Sequence, residues 1–135
     1  MHRRARTARV LAIAWLALLA AAPSAGAAPQ PTGSLFLTVS GESGTPVSVA
    51  RLECEPAGGT HPRAAEACAA LGTAGGDPDR LTARRLVCTE EHAPVTARVA
   101  GLWRGTPVTW SRTYPNSCHL HAATGALFAF PADRS

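Results

Sequence analysis

Lysine is absent from the sequence, and all 13 basic residues are arginines. We attach no function to this compositional bias. The sequence also lacks the motifs G-x-S-x-G and H-E-x-x-H and any phosphate-binding loop, each of which marks a class of enzymes by the chemistry it performs. After residue 27 it has neither an internal repeat nor a low-complexity tract. The common motifs therefore give no argument for an enzyme.

The segment 1–27 has the layout of a secretory signal peptide. Residues 1–9 carry four arginines and no acidic residue, and the apolar run that follows ends in small residues. A membrane anchor is the competing interpretation, but the apolar stretch 10–22 is short for a span and Pro23 interrupts it. We predict cleavage after Ala27, secretion, and one domain over residues 28–135 with an ordered core of about 34–131.

Removal of this segment changes the charge of the protein. The whole chain has 13 arginines and 9 acidic residues, a net charge of +4. Four of the arginines lie before residue 10, so the remaining chain has 13 − 4 = 9 arginines against the same 9 acidic residues. A chain without net charge has no basic surface that would attract a phosphate backbone, and we expect no nucleic-acid partner.

All four cysteines, Cys54, Cys68, Cys88 and Cys118, follow the predicted signal peptide. An even number in a small exported chain indicates disulfides, and three pairings are possible. A zinc site is the alternative, but successive cysteines are widely spaced and form no close-spaced ligand pairs. His119 and His121 would point about 200° apart on a helix, which is poor geometry for chelation. We therefore predict disulfides and no metal.

Hydrophobic patterning predicts an α+β fold with five strands and two short helices. The strands are assigned to 34–41, 47–54, the two halves of a hairpin over 94–114, and 126–130. The first helix starts at Pro62 and places Ala64, Cys68 and Leu71 on one buried stripe. The second helix covers 116–125 and closes at Gly125.

The hairpin is the clearest local signal. Arg104-Gly105 is a two-residue turn with glycine at its second position, and such a turn fixes the strand register. It pairs Trp103 with Thr106, Val99 with Trp110 and Val95 with Tyr114. The apolar residues then share one face, with Arg112 as the exception, so we predict a half-buried antiparallel ribbon. Pro107 lies opposite Leu102, and its missing N–H is harmless if that side is a sheet edge.

The segment RLVCTEEHAPVT, residues 85–96, places Glu90 and Glu91 between a cysteine and a proline. Three interpretations are open: a catalytic pair, a charged surface turn, or a segment that another protein binds. Neighbouring side chains in an extended segment point to opposite sides, whereas glycoside hydrolysis needs two carboxylates that face each other. A catalytic pair is therefore disfavoured. A surface turn alone does not account for Cys88 and Pro94 at its two ends.

The segment CEPAGGTHPRAAEACAAL, residues 54–71, resembles the signature of the Streptomyces subtilisin inhibitor family. That signature consists of Cys-x-Pro, a Gly shortly before His-Pro, and then Ala-Cys followed by a Leu. The matching residues are Cys54, Pro56, Gly59, His61, Pro62, Ala67, Cys68 and Leu71. The resemblance continues through GGDPDRLT, GLWRGTPVTW, YPNSC and LFAF, and so extends from about Leu35 to Phe130.

The resemblance implies a five-stranded antiparallel sheet with two helices, which agrees with the elements counted above. It implies the disulfides Cys54–Cys68 and Cys88–Cys118 and a homodimer packed through a sheet face. The activity it implies is tight, reversible inhibition of secreted serine proteases. The protein would then be no enzyme and would carry no catalytic residue and no cofactor.

The resemblance also implies that the scissile bond lies two residues beyond the third cysteine, which is Glu90–Glu91. The loop that contacts the protease then consists of Val87, Cys88, Thr89, Glu90, Glu91 and His92. Pro94 is expected to stiffen the far end of this loop. Asn116 either braces the loop through its side-chain amide or has a simple role in a turn.

The loop departs from the family pattern, in which a large apolar or a basic residue usually stands where this chain has Glu90. A glutamate side chain is ionised at pH 7, and an unpaired charge is costly in an apolar pocket. The departure predicts weak inhibition of trypsin-like enzymes and subtilisin, and a target that prefers glutamate. The alternative is a family member that has lost inhibition and serves as an exported binding or scaffold domain.

Overall fold

The computed structural model describes residues 20–22, 26 and 29–131. Most of the predicted signal peptide lies outside these residues. Among the residues described, no helix has the length and apolar character needed to cross a membrane. The elements in chain order are β1 (Gly33–Ser40), β2 (Pro46–Cys54), β3 (Gly58–Gly59), α1 (Ala64–Thr73), β4 (Val95–Trp103), β5 (Thr106–Tyr114) and α2 (Ser117–Thr124). Two 3₁₀ turns, Pro78–Arg80 and Gly125–Phe128, complete the fold.

The five strands form one antiparallel sheet in the order β3-β2-β1-β4-β5. The register predicted for the hairpin is confirmed, with Trp103 opposite Thr106, Val99 opposite Trp110 and Val95 opposite Tyr114. Strand β5 lies at the sheet edge. Because an edge strand leaves one row of backbone N–H groups unpaired in the sheet, Pro107 costs no ladder hydrogen bond there.

One face of the sheet forms the core, because alternate residues of β1, β2 and β4 point towards it. This face packs against α1, α2 and the turn Gly125–Phe128. The largest fully buried side chains are Leu35, Leu37, Leu52, Leu71, Leu120, Leu127 and Phe128. The apolar stripe predicted for α1 packs on the core: Leu71 is buried, and Ala64 and Cys68 are partly buried against it. Ala67, which the prediction left out, is also buried on this face.

One disulfide fastens α1 to the sheet and the other fastens α2 to the connection before β4, and the described cysteines include no free one. Cys54 at the end of β2 is bonded to Cys68 in α1, and Cys88 is bonded to Cys118 in α2. These are the two pairs that the resemblance implies. Each bond links a helix to a distant part of the chain, and so restricts the unfolded state.

The prediction of a final strand over 126–130 is wrong, although the count of five strands is right. Residues 126–128 belong to a 3₁₀ turn, and the fifth strand is the two-residue β3 within the segment 55–62 that the sequence assigned to a loop. The error has a physical cause: Ala126, Leu127 and Phe128 are all buried. A short run of apolar residues fits a buried strand and a buried helical turn equally well.

The start of α1 also differs from the prediction, which placed Pro62 at the first helical position. The helix begins at Ala64 with Arg63 as its N-cap. His61 lies just before it and is buried; its Nδ1 accepts a hydrogen bond from the Arg63 N–H at 3.0 Å, and its Nε2 lies 3.0 Å from the Leu127 carbonyl oxygen. The ring therefore satisfies a helix-terminal N–H and ties the helix start to the C-terminal turn.

Arg112, the charged exception on the apolar face of the hairpin, has a carboxylate partner. Asp79 in the first 3₁₀ turn lies 3.2 Å from Arg112 Nη1 and also accepts a hydrogen bond from Trp110 Nε1 at 3.0 Å. One carboxylate thus ties the segment after α1 to β5. This segment leads directly into the long connection that precedes β4.

Gly101 allows β1 and β4 to approach closely. Its φ is +145°, and a Cβ at this position would overlap the carbonyl oxygen of Ser34. Only glycine combines this backbone conformation with such a close neighbour. Because β4 begins where the long connection ends, the pairing of β1 with β4 fixes the position at which that connection re-enters the sheet.

Candidate functional site

Residues 81–94 join the first 3₁₀ turn to β4 and contain neither helix nor strand. We call residues 85–94 of this connection the loop. The loop projects into solvent: Val87 is fully exposed, and the side chains of Glu90 and His92 are 87% and 83% exposed. The segment that carries both glutamates is therefore open to contact by another molecule.

The disulfide Cys88–Cys118 anchors the loop just before Glu90. The Cα atoms of its two cysteines are 5.7 Å apart, and Cys118 lies in the first turn of α2. The helix is in turn packed against the turn Gly125–Phe128 and the strands β4 and β5. A covalent bond to a packed element limits the motion of the exposed backbone around Cys88.

Asn116 braces the loop through its side-chain amide. The amide nitrogen donates hydrogen bonds to the carbonyl oxygens of Thr89, at 3.0 Å, and Glu91, at 2.9 Å. These two carbonyls flank Glu90 on its two sides. Asn116 is 5% exposed, so both contacts are shielded from water, which would otherwise compete for them.

The same residue also caps α2. Asn116 Oδ1 accepts a hydrogen bond from the His119 N–H at 3.1 Å, and Asn116 is the N-cap of the helix. Asparagine is among the residues that N-cap positions prefer. The brace and the turn role, which the sequence presents as alternatives, therefore occur together. Asn116 is thus fixed at the start of α2 and connects the helix to the loop.

Backbone hydrogen bonds attach both ends of the connection to the same part of the molecule. The Ala93 N–H donates to the Pro115 carbonyl at 3.0 Å, and the Arg84 N–H donates to the Ala122 carbonyl at 2.7 Å. Pro94, the predicted stiffening residue, is half-buried and lies immediately before β4. The segment 115–122 thus supports the connection from Arg84 to Ala93.

Two contacts between a histidine and a carboxylate lie beside the loop. Glu90 Oε1 lies 3.8 Å from His119 Nε2, and Glu42 Oε1 in the β1–β2 turn lies 4.0 Å from His92 Nε2. The sequence pattern assigned neither pair, because the partners are far apart in the chain. The implied bond from Cys88 to Cys118 was the one signal that could have placed residue 119 near residue 90.

The loop is a surface that another molecule can contact. Within the part of the chain that the structure describes, no group of three or more histidine, cysteine, aspartate or glutamate side chains could hold a metal ion. The loop instead presents exposed backbone and side chains on a supported frame. This arrangement can offer the peptide bond between Glu90 and Glu91 to a partner that binds extended polypeptide.

Comparison with known proteins places this geometry in context. The family described as "Subtilisin inhibitor-like" matches residues 19–116. A "Subtilase-type protease inhibitor" of Streptomyces coelicolor is 44% identical over 126 residues, which cover 89% of this chain and 85% of the relative. Another protein of that description, from Streptomyces fradiae, is 40% identical over 143 residues. That match covers 96% of this chain and 100% of the relative.

A solved structure is also similar in fold. It is the crystal structure of Streptomyces caespitosus sermetstatin in complex with Bacillus licheniformis subtilisin. The TM-score is 0.61 at 31% sequence identity, and the match covers 73% of this chain and 98% of the sermetstatin chain. That protein therefore shares the fold described above over nearly its whole length.

Proposed function

Because the chain belongs to the subtilisin inhibitor-like family, we propose that it inhibits a serine protease through the loop, with Glu90–Glu91 as the scissile bond. The observation that carries the proposal is the double contact of Asn116, whose amide holds the carbonyls on both sides of Glu90. Glu90 itself is left exposed. A protease that binds Val87 to His92 as an extended substrate would find the backbone already ordered.

Prior ordering of the loop strengthens binding. A flexible peptide loses conformational entropy when a protease orders it, and a loop held in its bound shape avoids most of that cost. The disulfide Cys88–Cys118 restrains the side that becomes the acyl group, and the Ala93–Pro115 hydrogen bond restrains the side that becomes the amine. Complex formation therefore requires little further ordering of either side.

The same contacts slow turnover after attack. The protease serine oxygen forms a bond to the Glu90 carbonyl carbon, the bond to the Glu91 nitrogen breaks, and the serine proton passes to that nitrogen through the protease histidine. Asn116 touches both fragments, so the new amine stays next to the acyl group. Re-formation of the peptide bond then competes with hydrolysis. The protease remains occupied by a substrate that it releases slowly.

Glu90 at the specificity position points to a protease that accepts glutamate. Transfer of an ionised carboxylate into an apolar pocket costs several kcal/mol unless it is paired, and a pocket built on aspartate would repel it. A pocket with histidine, arginine or serine donors would pair it. We therefore propose a glutamate-preferring serine protease as the target class.

A titration against three proteases tests the function. The protein without residues 1–27 is mixed with a glutamyl endopeptidase, subtilisin and trypsin, and residual activity is followed against the molar ratio. We expect a stoichiometric end point with the glutamyl endopeptidase, weaker inhibition of subtilisin and the weakest of trypsin. Equal potency on all three would contradict the role of Glu90 in specificity. No inhibition by a folded protein would instead favour the exported binding or scaffold domain.

The proposal includes export and a protease partner outside the cell. Its support is the layout of residues 1–27, with arginines, an apolar run and small residues before the expected cleavage after Ala27. A mature mass that begins at Ala28 in the culture medium would agree with it, and retention of the full chain in cells would contradict it.

The proposal also includes a homodimer that packs through the outer face of the sheet. This face exposes large apolar side chains from neighbouring strands: Phe36 of β1 is 52% exposed and Leu102 of β4 is 46% exposed. A second copy that covers them would bury this area. We expect Phe36→Arg to shift the species seen by sedimentation from dimer to monomer, with protease inhibition retained because the loop is supported by α2. A monomeric wild-type protein would contradict the dimer.

A further inference from the structure

His119 has a ring nitrogen with no hydrogen-bond partner. Its Nε2 is completely covered, although the side chain as a whole is 33% exposed, and it is the one such buried side-chain atom among the described residues. The closest carboxylate oxygen is Glu90 Oε1, at 3.8 Å. This distance is too long for a hydrogen bond and within the range of an ion pair.

The two partners differ in their freedom to move. His119 lies in the first turn of α2, next to the bonded Cys118, and its backbone N–H is held by Asn116. Glu90 has an 87% exposed side chain on the loop. The imidazole is thus a fixed element, and the carboxylate can leave it without disturbing the fold.

We infer that His119 is a specificity-determining positioning residue, whose protonated ring holds the Glu90 carboxylate on the inhibitor and opposes its entry into a protease pocket. This inference rests on the proposed function. A histidine side chain changes its charge between about pH 5 and 8. At low pH the ring is charged, the pair stabilises the free inhibitor, and association weakens. At high pH the neutral ring releases the carboxylate, and association strengthens.

The other ionisable groups around α2 do not account for such a dependence. The helix packs against β4, β5 and the turn Gly125–Phe128, and the connection is hydrogen-bonded to it at Arg84. This part of the connection contributes Arg84 and Arg85. The strands contribute Arg98, Arg112 and Tyr114, and the turn has no ionisable side chain. Arginine stays charged at all relevant pH values, and Arg112 is paired with Asp79. Burial raises the pKa of the Tyr114 hydroxyl above its usual value of 10.0, so it stays neutral between pH 5 and 8.

Three other ionisable groups are close in the chain and must be distinguished by experiment. Glu91 follows Glu90 directly in the loop. His121 lies two residues after His119 on the same helix. His92 is part of the loop and lies 4.0 Å from Glu42. His121→Gln is the matched control for inhibition, because His121 lies on α2 outside the loop. His92→Gln serves as the control on the free protein, where no protease is bound.

The first experiment measures inhibition of a glutamyl endopeptidase by wild type, His119→Gln and His121→Gln at pH 5.5 and 8.0. Glutamine reaches the same region as the imidazole and is neutral at both pH values. Each variant is compared with wild type at one pH, so the protease's own ionisation cancels. We expect His119→Gln to bind about twofold to fivefold more tightly than wild type at pH 5.5, the range of an exposed ion pair, and about equally at pH 8.0. A ratio that does not change with pH overturns the inference.

The second experiment uses the free protein and needs no protease. The side-chain carboxyl carbon of Glu90 is followed by NMR between pH 5 and 8, above the range in which an ordinary glutamate titrates. We expect its resonance to move in wild type and His92→Gln and to stay constant in His119→Gln. Equal behaviour of all three overturns the pair. If the resonance moves as expected but the protein inhibits no protease, the ion pair exists and its role in specificity is overturned. The proposed function has then failed as well.

Discussion

Glu90→Arg is expected to strengthen inhibition of trypsin at least about a hundredfold over wild type. The substitution replaces repulsion between two carboxylates by an ion pair with the aspartate in the trypsin pocket. Such changes for a buried charge amount to several kcal/mol, and about 1.4 kcal/mol corresponds to a tenfold change in affinity. The fold should not change, since the Glu90 side chain is 87% exposed and its one ion-pair partner among the described residues is His119. Inhibition constants for trypsin, measured beside the melting temperature, test the prediction.

Two further variants show whether residue 90 is the residue that enters the pocket. Glu90→Leu should strengthen inhibition of subtilisin, because an apolar side chain enters an apolar pocket without the loss of hydration that a carboxylate suffers. Glu91→Arg places the new charge one residue further along and should leave trypsin inhibition weak. If Glu91→Arg binds trypsin and Glu90→Arg does not, the scissile bond is displaced by one residue. If no variant changes either inhibition constant, the contact lies elsewhere on the protein.

Asn116→Ala is expected to weaken inhibition about tenfold to a hundredfold and to speed cleavage between Glu90 and Glu91. The substitution removes the donors to the Thr89 and Glu91 carbonyls. Two hydrogen bonds contribute about 1–3 kcal/mol together, which corresponds to that range of affinity. The loop then loses more conformational entropy on binding, and the amine fragment is held less closely after attack. Inhibition constants and the fraction of cleaved inhibitor after long incubation measure the two effects.

Matched variants separate the brace from the helix cap. Serine is a good N-cap residue but is too short to reach both carbonyls, so Asn116→Ser should keep much of the thermal stability and still lose inhibition. Asp77→Ala removes the cap of the 3₁₀ turn at Pro78, away from the loop, and should leave inhibition unchanged. Wild-type inhibition by Asn116→Ser would show that the amide contacts do not matter for binding.

The parts of the fold that the sequence predicts well are those set by local chemistry. The hairpin of β4 and β5 has a turn type that fixes its register and a clean division of apolar and polar faces, and every predicted pair is found. The segment 126–130 offers neither signal, and its run of apolar residues is a buried turn instead of a strand. Strand β3 consists of Gly58 and Gly59; two glycines carry no strand preference, and only their pairing with β2 defines them.

The sequence suggests one contact of the candidate site, the brace from Asn116, but not the contacts of its histidines. The sequence places two glutamates between Cys88 and Pro94, and the resemblance to the family implies that the bond between them is the scissile one. Whether the Asn116 amide can reach the loop depends on the distance between α2 and the loop, and tertiary packing sets that distance. The proximity of His119 to Glu90 has the same origin. Local patterns do not contain such distances, since both strands of the hairpin lie between these two side chains in the chain.

The hydrogen bonds from Asn116 to the loop are accepted by main-chain oxygens. The Asn116 amide binds the carbonyl groups of Thr89 and Glu91 and not their side chains. Other residues at these two positions could therefore be held by the same hydrogen bonds. A lineage that meets a changing set of hydrolases could therefore exchange the exposed residues by single mutations and inherit the support intact. Diversification at residues 89–92 would then cost the protein little in folding, and new targets could be reached one codon at a time.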